Sequence, residues 1–147
     1  MLVLESMTEK VLGAAFEVHR IMGPGLLEST YRTCLFHELS RRGMAVEQEV
    51  VIPVAYKDLP VDTAYRADLI VEGRVLLELK SVERVLPIHE AQVITYLKHG
   101  NFPVGLLLNF NVRHLKGGIH RFLRPYPAVP PAPTLAMVPK PWHDPLS

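Results

Sequence analysis

Three charged residues interrupt two otherwise apolar stretches of this chain. Asp68 lies within YRADLIV, and Glu78 and Lys80 lie within LLELKSV. Because side chains alternate along a strand, Glu78 and Lys80 share one face while Leu77 and Leu79 take the other. Two neighbouring carboxylates repel each other unless a cation lies between them, and oxygen ligands of this kind suit magnesium or manganese. A lysine beside them can orient or deprotonate a water, or stabilise charge on a phosphate, so the pattern indicates metal-assisted hydrolysis.

This hypothesis sets a condition on strand register. A two-residue turn at 72–73 would place Asp68 opposite Leu77, and the two carboxylates would then point to opposite faces of the sheet. A shared metal requires one more residue in the loop or a β-bulge, and Gly73 accommodates either. We therefore predict that Asp68 lies opposite Glu78. The alternative is an exposed cross-strand cluster of solvated charges.

The helix expected after this hairpin supplies further candidates. It begins at Pro87 and runs to about His99, and His89, Gln92 and Tyr96 recur on one side of it. Gln92 and Tyr96 can reach the carboxylate pair or a phosphate. The alternative is an ordinary solvent-facing stripe, which is the interpretation we prefer for His89.

A further carboxylate, Glu28, stands on an earlier helix in an apolar setting, with Gly25 before it and Tyr31 one turn later. It can complete a metal site directly or through water, whereas the alternative is an ion pair with Arg32 one turn away. Tyr31 and Tyr96 can stack on a base, with core packing the alternative for Tyr31.

The secondary-structure elements that position these residues are predicted from the spacing of apolar residues and from the capping residues, glycines and prolines that begin or end helices and strands. Ser6-Met7-Thr8-Glu9 has the spacing of a capping box and predicts the start of a first helix with an apolar face of Val11, Ala15, Val18 and Met22. The second helix is expected over 26–42, with an apolar stripe of Leu27, Tyr31, Cys34, Leu35 and Leu39. The other expected elements are a strand over 46–56 with Pro53 at an edge or bulge, a turn at 57–60, strands over 64–71 and 74–82, the helix from Pro87, a strand over 102–110 buried on both faces, and an edge strand or short helix over 117–123. This order predicts an α/β fold in which helices cover a mixed sheet.

Composition restricts the class of protein, its cellular location and its domain organisation. The 147 residues are 48% hydrophobic and 21% charged, which indicates a single globular domain, and a net charge of +1 argues against a protein held to nucleic acid by charge alone. The absence of a long apolar run or a secretory signal leads us to expect a cytoplasmic protein. Cys34 is alone, and the seven histidines lack the spacing of a zinc site. Eight of the 13 prolines follow residue 124, so we expect a domain over 5–124 and an extended tail over 125–147.

The segment from Gly25 to Tyr31 matches the motif that names the GxxExxY protein family. The similarity extends over AAFEVHRIMGPGLLESTY, YRADLIVEGRVLLELKSVERVLPIHEAQVITYLK and GLLLNFNVRHLKGGIHR, and so over nearly all of residues 5–124. That family is similar to the PD-(D/E)XK nuclease superfamily. The resemblance implies a restriction-endonuclease-like core, in which a central mixed β-sheet is flanked by helices.

The resemblance also implies magnesium- or manganese-dependent hydrolysis of phosphodiester bonds in nucleic acid, with DNA as the expected substrate. The implied roles are metal binding by Asp68, Glu78, the carbonyl of Leu79 and Glu28, positioning of water by Lys80, orientation of substrate or of the metal's waters by Gln92, and substrate contact by Tyr96 and Tyr31. The small size and modest charge suggest action with a protein partner or as a homo-oligomer. The competing hypothesis is a non-catalytic protein-interaction module that keeps the nuclease fold as a scaffold.

Overall fold

Two helices, five strands, a third helix and two further strands follow one another in a computed structural model that describes residues 2–61 and 65–124. The elements are α1 (Leu2–Met22), α2 (Glu28–Arg41), β1 (Val46–Val51), β2 (Val54–Tyr56), β3 (Leu59–Val61), β4 (Arg66–Val71), β5 (Val75–Lys80), α3 (Pro87–Gly100), β6 (Val104–Asn109), a short 3₁₀ helix (Leu115–Gly118) and β7 (Ile119–Leu123). The proline-rich segment 125–147, expected to be an extended tail, lies outside the described residues. None of the helices described is both long and apolar enough to cross a membrane.

The central sheet has five strands in the order β1-β4-β5-β6-β7. The β5–β6 pair is parallel and the other three pairs are antiparallel. Helix α3 makes the crossover between β5 and β6, which is the connection that a parallel pair requires. Every residue of β6 is buried, as its continuous apolar sequence predicts. The predicted fold class, an α/β protein with a mixed sheet flanked by helices, is confirmed.

Helices cover both faces of this sheet and create two apolar clusters. On one face α1 and α2 pack against β4, β5 and β6, and Val11, Ala15 and Val18 are buried as predicted. On the other face, α3 packs through Val93 and Leu97. Close approach of α3 to β6 depends on Gly105, since a Cβ there would lie 2.8 Å from the Cγ1 of Val93.

Two residues of the predicted apolar stripes lie outside the core. Met22 is 38% exposed and Leu27 is 73% exposed. Met22 is the last residue of α1 and Leu27 precedes α2. Both therefore lie at the connection between the two helices and not on the helix surfaces that pack on the sheet. The helical period is correct along both helices, but the packed face ends before these two terminal positions.

The predicted capping box is wrong, because α1 already begins at Leu2. Leu4 and Met7 pack against the core, so the apolar face continues for another turn before Val11. The Thr8 hydroxyl donates to the carbonyl of Glu5 inside the helix. Burial of this additional turn outweighs the local preference of Ser6 for a helix start.

The predicted strand over 46–56 is divided in the structure. β1 pairs with β4 at the edge of the central sheet, whereas β2 pairs with β3 in a separate two-stranded sheet. The break occurs at Pro53, which lacks the amide that a continuous ladder needs. The predicted turn at 57–60 is correspondingly shorter: Lys57 and Asp58 turn, while Leu59 and Pro60 belong to β3.

Candidate active site

The β4–β5 hairpin sets the relation between Asp68 and Glu78. The pairs are Val71 with Val75, Ile70 with Leu76, and Leu69 with Leu77, so the connecting loop is Glu72-Gly73-Arg74. Glu72 and Gly73 both adopt positive φ angles, 53° and 65°, which close this three-residue loop. Continuing the register places Asp68 opposite Glu78. The predicted longer loop is therefore confirmed, and the two carboxylates lie on the same face.

The carboxylates occupy the point at which the β4–β5 ladder ends. The backbone amide of Asp68 donates to Glu78 Oε1 at 3.1 Å, and the amide of Leu79 donates to Asp68 Oδ2 at 2.8 Å. Each side chain thus satisfies a backbone group of the opposite strand in place of a ladder bond. These reciprocal hydrogen bonds hold both carboxylates in defined positions between the strands.

Burial makes this pair electrostatically costly. Glu78 is only 5% exposed. Burial raises the pKa of the Glu78 carboxyl to about 8, and the negative charges of Asp68 and Glu28 act in the same direction. Burial also raises the pKa of Asp68, opposed by its hydrogen bond from Leu79 and by the charge of Arg32. The site therefore favours a proton or another cation between its carboxyl groups.

The donor set fits a hard divalent cation. Two carboxylates share one face, and their raised pKa values mean that the surrounding positive charge does not fully compensate them. Magnesium and manganese prefer such oxygen ligands and usually keep several waters, so two protein carboxylates are a sufficient anchor. Asp68 and Glu78 are the residues that would hold the ion.

The other two predicted ligands are placed differently. Across the described parts of the chain, no three His, Cys, Asp or Glu side chains gather as a metal-binding group, and in this arrangement Glu28 is not gathered with Asp68 and Glu78. It begins α2, is exposed, and acts on the pair through its charge. The Leu79 side chain is buried in the core, as predicted for its face of β5, so only its backbone is available to a metal.

Lys80 ends β5 beside the carboxylates. Its charge lowers the pKa of both Asp68 and Glu78, against the effect of burial. The Lys80 carbonyl accepts a hydrogen bond from the amide of Phe110 at 2.9 Å, which fixes the end of β5 against the segment that follows β6. The Lys80 residue is half-buried rather than freely solvated.

Helix α3 brings Gln92 and Tyr96 to the same region. Gln92 Nε2 donates to the Tyr96 hydroxyl at 2.9 Å. Tyr96 is 4% exposed, which excludes the solvent-facing alternative for this residue. Burial raises the pKa of Tyr96, the hydrogen bond from Gln92 opposes this effect, and the charges of Glu78 and Asp68 add to it. His89 instead accepts a hydrogen bond from the amide of Leu86 at the start of the helix.

Tyr31 does not contact a substrate, and this prediction is wrong. Its side chain is fully buried, with its ring stacked on Phe110 at a centroid distance of 4.5 Å. Its hydroxyl donates to the carbonyl of Gly23 and accepts from the amide of Leu26 at 3.1 Å. Leu26 in turn accepts a hydrogen bond from Ser81, immediately after Lys80. Tyr31 therefore anchors the α1–α2 loop beside the site.

We expect Tyr31→Phe to destabilise the protein by about 1–3 kcal/mol, because it leaves the Gly23 carbonyl and the Leu26 amide without their partner while retaining the stacked ring. Urea unfolding measures this change. Tyr56→Phe is the matched control, since Tyr56 is 65% exposed. Equal unfolding midpoints for the two variants would show that the Tyr31 hydroxyl does not stabilise the fold.

Sequence reasoning missed Arg32 as a part of the site. Arg32 pairs with Asp68 and with Glu49, at 3.9 Å in each case, rather than with Glu28 as the alternative interpretation supposed. Glu49 has φ of 52° within β1, a conformation that costs energy for a residue with a side chain. The register places Glu49 across from Asp68, between Gln48–Leu69 and Val50–Ala67. The only available sequence signal was an arginine one turn after Glu28.

Tyr65 is a second missed residue. It directly precedes β4, is 50% exposed, and lies 6.1 Å from Tyr96 between ring centroids. An exposed aromatic ring therefore borders the carboxylate site, a role that the sequence had led us to expect of the buried Tyr31. A tyrosine three residues before Asp68 belongs to no periodic pattern in the sequence. Only the packing of Tyr65 against Tyr96 of α3 shows that it lies near the site.

Comparison with known proteins is consistent with this geometry. Residues 5–122 match the PD-(D/E)XK nuclease superfamily. No curated protein and no solved structure gives a significant match. The matched segment includes both carboxylates, Lys80, Gln92 and the elements that position them. The chain therefore belongs to the PD-(D/E)XK nuclease superfamily.

Proposed function

We propose that this protein is a magnesium- or manganese-dependent nuclease that hydrolyses phosphodiester bonds of DNA. The observation that carries the proposal is the placement of Asp68 and Glu78 on one face, each locked to the opposite strand by an amide hydrogen bond, with Lys80 beside them. On the motif from Gly25 to Tyr31, we further propose that the chain belongs to the GxxExxY family within this superfamily. We propose residues 5–124 as the nuclease domain, in line with the matched segment.

Each residue of the site has a distinct proposed role. A divalent cation supplies positive charge at the phosphate and makes water more acidic. Asp68 and Glu78 bind this cation through their carboxylates, with the Leu79 carbonyl as an additional oxygen. Glu28 acts through water, because it is not gathered with the pair. Lys80 positions the attacking water and stabilises negative charge on the phosphate.

Helix α3 contributes two residues that position groups at the site. The hydrogen bond between Gln92 and Tyr96 fixes the amide, whose carbonyl oxygen then remains available to a water or substrate group. Because the Tyr96 ring is buried, it acts through Gln92 and its hydroxyl rather than by stacking on a base. Arg32 neutralises part of the charge on Asp68 and keeps that carboxylate oriented.

The test is metal-dependent cleavage of labelled single-stranded, duplex and branched DNA and of RNA. We expect wild-type protein to cut with magnesium or manganese, and Lys80→Met to lose activity by about 10²–10⁴-fold, the usual contribution of a positioned general acid or base. Titration with calcium measures metal binding separately from cleavage. We expect Lys80→Met to retain metal binding, because both carboxylates remain. Lys10→Met, at an exposed position of α1, is the control for removal of one positive charge.

The competing scaffold hypothesis predicts a different result. A folded protein that neither cuts any of these substrates nor binds manganese by calorimetry would contradict the nuclease proposal. The interaction module would then be the better explanation for the presence of this fold. If the protein binds metal, and wild type and Lys80→Met cleave at the same rate, the nuclease proposal stands but Lys80 has no role in the chemistry.

A further inference from the structure

A second surface lies at the same end of the sheet as the carboxylate pair. In the parallel β5–β6 pair, Lys80 lies beside Asn109, and the amide of Phe110 donates to the Lys80 carbonyl. The segment that follows β6 therefore starts next to the proposed active site. Four residues from Asn109 to Arg113 span at most about 14 Å of extended chain.

This segment borders an open cavity of about 510 Å³. The nitrogen-bearing side chains that line it are His19, Arg20, Arg113, His114 and Lys116. Arg113 and Lys116 are exposed and have no hydrogen-bond or ion-pair partner among the described residues. Arg20 is paired with Glu17 at 3.0 Å, and no acidic side chain of the described chain lines the cavity itself. We refer to it as the Arg113–Lys116 cleft.

The backbone that presents these cations is anchored on several sides. His19 Nε2 lies 2.7 Å from the carbonyl oxygen of Val112, which ties the segment to α1. Asn109 Oδ1 accepts from the amide of Asn111 at 3.2 Å. Leu115 is buried in the core, and Gly118 packs so closely on Asn109 that a Cβ would lie 2.1 Å from its carbonyl oxygen. The cleft is therefore preformed, and less conformational entropy is lost when an anion binds there.

Charge explains why such a cleft is needed. The carboxylate pair repels a phosphate backbone wherever the metal does not screen it, and the whole chain carries a net charge of only +1. Sequence-independent affinity for nucleic acid comes mainly from cations that neutralise phosphates. Unpaired Arg113 and Lys116, on the segment that starts at the same end of the sheet as the site, supply that attraction locally.

We infer that the Arg113–Lys116 cleft binds the phosphate backbone of the nucleic-acid substrate to one side of the cleavage position. This inference rests on the proposed nuclease function. Counted from Asn109, beside Lys80, the segment to Arg113 spans at most about 14 Å, which corresponds to no more than roughly four nucleotides of one strand at about 3.4 Å of helix axis for each. The cleft thus engages substrate phosphates that flank the bond to be cut.

The test compares two double variants that remove the same charge. Arg113→Ala/Lys116→Ala alters the cleft, whereas Arg41→Ala/Arg74→Ala removes two exposed cations near the end of α2 and in the β4–β5 loop, at the opposite end of β5. Binding of labelled duplex DNA is measured by fluorescence anisotropy in calcium over a range of salt concentrations. We expect the cleft variant to lower the slope of log K against log salt by about 2 and to weaken binding on the order of tenfold.

Substrate length provides an independent readout. With DNA of about 20 nucleotides the cleft variant should raise KM while kcat is retained, because it loses binding outside the reacting centre. With dinucleoside monophosphates, which carry only the phosphate to be cut and so cannot occupy both positions, the cleft variant and wild type should be equal. Equal losses on long and short substrates would overturn the assignment to flanking phosphates.

The outcomes separate this inference from the nuclease proposal. If wild-type protein cuts DNA and both double variants show the same salt slope, the inference about the cleft is wrong while the nuclease proposal stands. Wild-type protein that neither cuts nor binds any nucleic acid would overturn both. Loss of RNA binding but not of DNA binding in the cleft variant would assign the cleft, and with it the substrate, to RNA and contradict the proposed use of DNA.

Discussion

Glu78→Gln is expected to abolish cleavage and, at the same time, to stabilise the metal-free protein. The amide cannot serve as an anionic ligand, and loss of metal-based charge stabilisation worth several kcal/mol lowers the rate on the order of 10³-fold. The side-chain amide introduced at this position keeps a carbonyl oxygen that can accept the hydrogen bond from the Asp68 amide. The variant therefore removes a buried charge next to Asp68 without removing the contact that positions it.

The pH dependence of this stabilisation distinguishes it from a general packing effect. Since burial raises the pKa of Glu78 to about 8, its carboxyl is neutral at pH 5 and the uncharged amide resembles it closely. At pH 9 the wild-type carboxyl is ionised against Asp68, so the substitution relieves repulsion and desolvation. We expect wild type and Glu78→Gln to unfold at similar temperatures at pH 5, and the variant to unfold at a higher temperature at pH 9.

Thermal unfolding in EDTA, run beside the cleavage assay, measures both effects on the same samples. Glu47→Gln is the matched control, because Glu47 is exposed on the edge strand β1. We expect this control to retain activity and to show no pH-dependent gain. A Glu78→Gln variant that is destabilised at pH 9, or that cuts DNA at the wild-type rate, would contradict the assignment of Glu78 as a buried ligand.

Much of this site was accessible from sequence because strand alternation constrains it strongly. The alternation of Leu77 and Leu79 with Glu78 and Lys80 predicts both faces of β5, and the need to bring Asp68 to the same face predicts the three-residue loop. Nearly continuous apolar residues likewise predict the burial of β6. These inferences use only the period of a strand and the chemistry of charged side chains.

The remaining features depend on contacts that have no local pattern. Arg32 reaches Asp68 and Glu49 across elements distant in sequence, and a left-handed Glu49 inside a strand contradicts its residue preference. Tyr31 satisfies the same helical spacing whether its ring meets a substrate or, as found, Phe110. Whether Pro53 bulges a strand or divides it depends on where the following residues find a partner. Tertiary packing decides each of these cases.

Metal affinity is expected to rise steeply with pH. A cation competes with the proton on Glu78, whose pKa burial raises to about 8, so apparent affinity should increase about tenfold per pH unit between roughly pH 6 and 8 and then level off. The charged groups that face this carboxyl are Asp68 and Glu28, which favour the proton, and Lys80, which opposes it. Binding at pH 7 should therefore release about one proton per metal ion.

Stability of the metal-free protein should change in the opposite direction. Between the unfolded pKa near 4.5 and the folded pKa of about 8, the native state binds more protons than the unfolded state, so stability falls as pH rises. The limiting slope for one such group is about 1.4 kcal/mol per pH unit, and Asp68, whose pKa burial also raises, contributes with the same sign. Saturating manganese should reduce this slope, because the bound ion replaces the proton.

Calorimetry of metal binding in two buffers of different ionisation enthalpy measures the number of protons released. Thermal unfolding from pH 5 to 9, with and without manganese, measures how stability changes with pH. Glu78→Gln should release no proton from this position and should flatten the metal-free slope, whereas Glu47→Gln should match wild type in both measurements. A wild-type protein with pH-independent metal affinity would mean that Glu78 is already ionised in the native state. Its burial would then be compensated by Lys80, and a metal would bind at the site without displacing a proton.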